Sequence, residues 1–153
     1  MKLRNAFTMT ELIFVIVIIG ILAAIAIPKV GDSVIRAQLS SAKATVMSLR
    51  SAILNERQKR LMRGQNNFIS KLSSGSMSEG AALFDGDGTN TLFSYPKRYK
   101  NASGHWRRTS DTAYLFKVDG TDVAFTYNPA NGTFTCNRNA TGDAGTYCKT
   151  ITE

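Results

Sequence analysis

A single carboxylate, Glu11, stands inside the otherwise apolar run "AFTMTELIFVIVIIGILAAIAIPK", so the first chemistry suggested by the chain is ion pairing at low dielectric. An acid at membrane depth costs about 2.5–3.5 kcal/mol on insertion scales, and acids kept there are usually functional. Cys136 and Cys148, the only cysteines, lie 12 positions apart and read as one disulfide, with two free buried thiols as the alternative. Such a loop is worth roughly 3 kcal/mol and persists in an oxidising compartment. In "DGDGTN", Asp85 and Asp87 alternate oxygen ligands at a spacing that suits calcium. It is not an EF-hand, because Pro96 stands where that loop carries its bidentate glutamate, and a solvated turn is the plainer account. "YPKRYKNASGHWRR", Tyr95 to Arg108, interleaves aromatic and basic side chains as single-stranded nucleic-acid surfaces do, against the plainer reading of a solvated basic loop. His105 has no evident nucleophile beside it, and no phosphate-binding glycine loop or paired acids in a cleft accompany it, so no catalytic site is expected. Two cysteines and one histidine without a CxxC spacing do not make a zinc site either.

These groups must be positioned by few elements. The chain has 153 residues and is 43% hydrophobic, with much of the apolar content crowded between Phe7 and Ile27, so the soluble part is small. The formal charge of +8 permits attraction to phosphate polymers or anionic lipid without showing either. Lys2 and Arg4 precede the run, which suits a cytoplasmic N-terminus with the rest exported. From Phe7 to Ile27 a helix is about 31 Å long, enough to span a bilayer. A secretory signal cut after "AIA" or a plain single-pass anchor are the alternatives, but neither explains Glu11 or the pattern that follows. Ile35, Leu39, Ala42, Val46, Leu49 and Ile53 recur at steps of four and three, predicting that the helix continues. Lys59, Arg60 and Arg63 before Gly64 predict its end, and Gly20 and Pro28 are the expected points of bending. Gln65 to Asn101 reads as a connecting region with a short strand at "TLFSY". "AYLFKV", "DVAFTY" and "GTFTC", separated by "DGT" and "NPAN", predict a three-stranded antiparallel meander whose Tyr114, Phe116, Val118, Val123, Phe125 and Tyr127 face the helix.

The N-terminal segment resembles type IV prepilins and the pseudopilins of type II secretion, strongly over residues 1–30 and by helical pattern to residue 63. The likeness is carried by a short basic leader, a small residue, Phe7, a hydroxyl residue, an acid four places after Phe7, a long apolar run with Gly20, and Pro28. It implies an α+β, pilin-like fold: a long N-terminal helix packed on a small antiparallel sheet, with a disulfide-bounded C-terminal loop. It also implies a leader, 1–6, removed by a prepilin peptidase between Ala6 and Phe7, with N-methylation of Phe7. Residues 7–27 would then be a transmembrane and assembly helix, 28–63 an amphipathic continuation, and 64–153 the head. The family usually carries glycine where this chain has Ala6, and Met9 and Thr10 replace a more usual leucine and isoleucine or valine.

In such filaments the implied partner of Glu11 is the Phe7 amine of a neighbouring subunit, with Gly20 and Pro28 shaping the assembly helix. An intrachain pair or a protonated Glu11 is the alternative. The expected function is therefore a non-enzymatic structural subunit of a type IV pilus or secretion pseudopilus-like filament. No cofactor is required, although calcium at Asp85 and Asp87 would match some pseudopilins. Expected partners are other pilin-like subunits, a prepilin peptidase, an assembly ATPase and a platform protein, with DNA as a further candidate. The expected location is the bacterial inner membrane before assembly and a periplasmic or surface filament afterwards. A membrane-anchored, non-polymerising binding module, acting in DNA uptake, is the rival reading, and an anchored exported hydrolase a more remote one.

Overall fold

The computed structural model describes residues 7–153, apart from the side chains of residues 26–30. Lys2, Arg4, Ala6 and the side chain of Pro28 therefore lie outside the described residues. Helix α1 runs Met9–Met62. Strands β1 (Ala82–Leu83), β2 (Lys97–Arg98), β3 (Trp106–Arg108), β4 (Ala113–Val118), β5 (Thr121–Asn128) and β6 (Thr133–Cys136) follow, and helix α2 (Asp143–Thr152) closes the chain. This is the expected α+β, pilin-like arrangement. Two compact units are present, Met1–Arg36 and Ala37–Glu153, so the division falls inside α1.

The reason lies in the α1 seam. Ala42, Val46, Leu49 and Ile53 are fully covered, whereas Ile35 and Leu39 are only half-buried. From Ala37 onward the helix lies over the sheet, with Gln38 Oε1 accepting from the Asp119 N–H at 3.2 Å and Arg50 donating to the Phe134 carbonyl at 3.1 and 2.9 Å. The helix ends as predicted: the Gly64 N–H donates to the Leu61 carbonyl and the Gln65 N–H to the Arg60 carbonyl, both at 2.9 Å, which satisfies carbonyls the helix leaves open.

The main sheet is antiparallel in the order β3-β4-β5-β6, one strand more than predicted. The β4–β5 hairpin turns at Asp119 and Gly120, both with positive φ (46° and 81°), the type I′ geometry that matches strand twist. The alternation predicted for β4 and β5 is present, with Tyr114, Phe116, Val118, Val123, Phe125 and Tyr127 all buried. Two expectations for the connecting region are corrected. "TLFSY" is not a strand, since Thr91 makes only an isolated bridge to Gly86, and the short ladder there pairs β1 with β2 instead. Nor is the region a mere connection: Ile69, Leu72, Leu83 and Phe84 are buried, with Phe84 against Tyr114 at 5.0 Å and Trp106 at 5.4 Å between ring centres.

Cys136 and Cys148 form the expected disulfide. The segment they bound is more ordered than the predicted loop, because it contains most of α2, whose Cys148 and Ile151 are buried and which packs on β5. Its sequence, DAGTYCKTIT, is poor in helix formers, so packing and the cross-link must sustain it.

Two core hydroxyls give a testable consequence. Burial pushes the Tyr114 hydroxyl up to about 12, against a lowering contribution from its hydrogen bond to Ser73, and burial likewise pushes Tyr127 up to about 12. Because both folded values lie above the ordinary tyrosine value of about 10, their stabilisation is intact below that pH and is lost as pH rises toward the folded value. In an absorbance titration, Tyr114 and Tyr127 are expected to ionise last, together with the loss of near-ultraviolet circular dichroism. Ionisation of all five tyrosines near the ordinary value in the folded protein would contradict this.

Candidate functional site

The N-terminal surface is built on a capped helix start. Glu11 Oε2 accepts hydrogen bonds from the Thr8 N–H and Thr8 hydroxyl, both at 3.0 Å, while the Glu11 N–H donates to Thr8 Oγ1 at 3.2 Å. This is a reciprocal capping box, and its signature, "TMTE", stands in the sequence as a Thr followed three places later by Glu. Glu11 therefore has local partners within its own chain and is still exposed. Phe7, Thr10, Glu11, Phe14 and Val15 line a shallow hollow beside it.

Beyond the cap, apolar side chains face outward all round the helix. Every large one from Phe7 to Ile25 is at least 40% exposed. A helix apolar on all sides needs a bundle or a lipid phase to cover it. Gly20 lies midway, with open space where a Cβ would stand. Among the described residues no helix is long and apolar enough to cross a membrane.

These features coincide with a family-model match. Residues 1–27 carry the prokaryotic N-terminal methylation motif. Over 58 residues the chain is 47% identical to a fimbrial protein of Moraxella nonliquefaciens, a match covering 38% of this chain and 38% of that protein. It is also 48% identical over 52 residues to a fimbrial protein of Pseudomonas aeruginosa, covering 34% of each. The matched segment thus spans little more than a third of these relatives' length. No solved structure matches the chain. Over its N-terminal third the chain is similar to fimbrial proteins, and the methylation motif falls at the end of α1 that bears the exposed apolar surface.

Asp85 and Asp87 are both engaged by protein donors. Asp85 accepts from the Ser74 N–H at 3.0 Å and from the Ser74 hydroxyl. Asp87 accepts from the Thr89 N–H, from the Asn90 N–H and side-chain amide, and from Arg60 at 2.9 Å. Burial works against the Asp87 carboxylate, but the bonds from Asn90 and Thr89 and the Arg60 charge outweigh it and hold its pKa below the usual aspartate value. Gly86 makes the turn possible: its φ is 111°, and a Cβ there would stand 1.8 Å from the Asn90 carbonyl oxygen. Among the described residues no group of three or more His, Cys, Asp or Glu side chains is placed to hold a metal ion. The donor set fits a loop closed by its own hydrogen bonds better than a cation cage. Adding millimolar calcium or a chelator to the full chain in detergent is expected to move the Tm by less than about 1 °C. A calcium-dependent rise of several degrees would establish the cation reading.

Arg60 was expected to serve the helix dipole, yet it is 6% exposed and joins Glu56, at 3.5 Å, to Asp87. Arg63 also reaches Glu56, at 3.3 Å, and Asn90, at 3.0 Å. The signal for this network was available: Glu56 and Arg60 continue the seam of Val46, Leu49 and Ile53 at steps of three and four.

The nucleic-acid reading of Tyr95 to Arg108 is corrected in part. Trp106 is 3% exposed, its ring 4.9 Å from Phe116 and 5.1 Å from Phe125, so it is core and cannot stack on a base. Arg107 pairs with Asp122, and the buried Arg108 is held by the Gly75 and Ser110 carbonyls and by Asp111. Tyr95, Lys97, Arg98, Lys100 and His105, by contrast, are presented to solvent.

Proposed function

We propose that the chain is a structural subunit of a type IV pilus or pseudopilus-like filament, made as a precursor held in the inner membrane. A prepilin peptidase cuts after Ala6, Phe7 becomes the methylated N-terminus, and α1 polymerises through its apolar surface. The observation that supports this reading best is the coincidence of the methylation motif with an outward-facing apolar helix carrying one acid in its first turn. The proposed membrane segment takes in residues 26 and 27, whose side chains lie outside the described residues. Cleavage creates a positive amine on Phe7, and in a packed bundle that amine on a neighbouring copy pairs with Glu11, offsetting the cost of an acid among apolar side chains. An assembly ATPase and a platform membrane protein complete the machinery, and the assembled filament lies in the periplasm or at the cell surface. No catalysis is proposed.

Mass spectrometry of protein sheared from cells tests the whole reading: a polymer whose subunits begin with methylated Phe7 is expected. Protein that keeps Met1, or that is processed but absent from any fibre, would favour the anchored binding module instead.

A further inference from the structure

Trp106 is the only tryptophan, and its Nε1–H, although the residue is almost fully buried, has no hydrogen-bond partner. Trp106 lines an open groove of about 290 Å³ between α1 and the β2–β3 region, with Ser41 and Thr45 on the helix and Lys97, Arg98 and His105 opposite. The lining holds no acid. Arg98 spends one nitrogen on the Gly80 carbonyl at 3.2 Å, and neither it nor Lys97 pairs with a carboxylate among the described residues. An adjoining hollow of about 340 Å³ shares Ser41, Thr45 and Lys97 and adds Phe93 and Tyr95, the latter 93% exposed. One end of the composite groove is thus rich in donors and positive charge, and the other end is aromatic.

We propose that this groove binds a phosphate monoester carried on a flat ring. Donors without an accompanying acid call for an anion, and an ammonium beside a guanidinium supplies charge-assisted donors to phosphate oxygens. Lys97 and Arg98, with His105 beside them, take the phosphate oxygens, while the ring lies on Tyr95 and Phe93. This site is on the head and does not depend on whether the chain polymerises.

Because Trp106 is the sole indole, its fluorescence reports on the site directly. Titrating the full chain in detergent with phenyl phosphate is expected to give a saturable change. Inorganic phosphate and glycerol phosphate should bind about ten-fold more weakly, since they lack the stacking ring. Lys97→Glu should weaken phenyl phosphate at least about ten-fold with unchanged circular dichroism, by loss of a charge-assisted contact. Tyr95→Ala should reduce phenyl phosphate to the level of inorganic phosphate. Competition by a 5′-phosphorylated single-stranded oligonucleotide would identify a polynucleotide end as a source of the ester, and failure to compete would point to a free one. Absence of a saturable response, or an unaltered response in Lys97→Glu, overturns the proposal.

Discussion

Glu11→Ala is expected to reduce the yield of sheared filament at least about ten-fold while leaving the amount of membrane-held, processed protein unchanged, because a charge-assisted pair at low dielectric exceeds one decade in equilibrium constant. The capping box complicates that variant, since it also removes a partner of Thr8. Two companions separate the roles. Thr8→Ala breaks the cap, at about 1 kcal/mol, but keeps the acid, and is expected to assemble nearly normally. Glu11→Gln keeps an acceptor suited to the cap but removes the charge, and is expected to fail as Glu11→Ala does. If Thr8→Ala fails and Glu11→Gln assembles, Glu11 acts as a helix cap and the intersubunit pair is wrong.

The second large effect lies in the head. Arg60→Met is expected to cost about 3–5 kcal/mol, read as a shift in the urea midpoint of the full chain in detergent, because it strands buried charge. Glu56 is 3% exposed, and Asp87 keeps its carboxylate close to Arg60 at 2.9 Å. The loss arises from acids left with fewer partners, Glu56 with Arg63 and Asp87 with Thr89 and Asn90, more than from any net value of the ion pairs. Arg60→Met combined with Asp87→Asn should therefore be less damaging than the sum of the two single changes. Additive losses would show that the groups act independently.

Acid provides a second measurement on the same network. The folded pKa of Asp87 is depressed, so its contribution is fully present above the ordinary aspartate value of about 3.9 and is lost as pH falls through the folded value. In Asp87→Asn the loss of stability on acidification below about pH 4 should be shallower.

Much of this was legible in residue patterns. The four-and-three spacing of Ala42, Val46, Leu49 and Ile53 marks the buried α1 face, and "DGT" marks a two-residue hairpin turn that the positive φ angles of Asp119 and Gly120 require. What misled was polarity. Trp106, Arg107 and Arg108 read as a basic loop because arginine is rarely buried, yet β3 alternates buried and half-buried positions. Arg108 is accommodated by carbonyls of Gly75 and Ser110, of which Gly75 lies 33 positions away, and no local pattern announces such a partner. Asp85 and Asp87 left two readings open for a similar reason, since alternating carboxylates look alike whether a cation or Ser74, Asn90 and Arg60 will satisfy them.

By itself, the sequence determined the elements whose forces are local: the apolar N-terminal helix and its capped start, the amphipathic seam, the hairpin, and a cysteine pair with no competing thiol. Tertiary structure decided which polar groups leave water. Folding converted Glu56, Arg60 and Asp87 into one partly buried network, made a core ring of Trp106 and left its indole N–H unpaired. Those outcomes depend on partners distant in sequence, and the cost of burying a charge or a donor is known only once the chain has brought, or failed to bring, its counterpart.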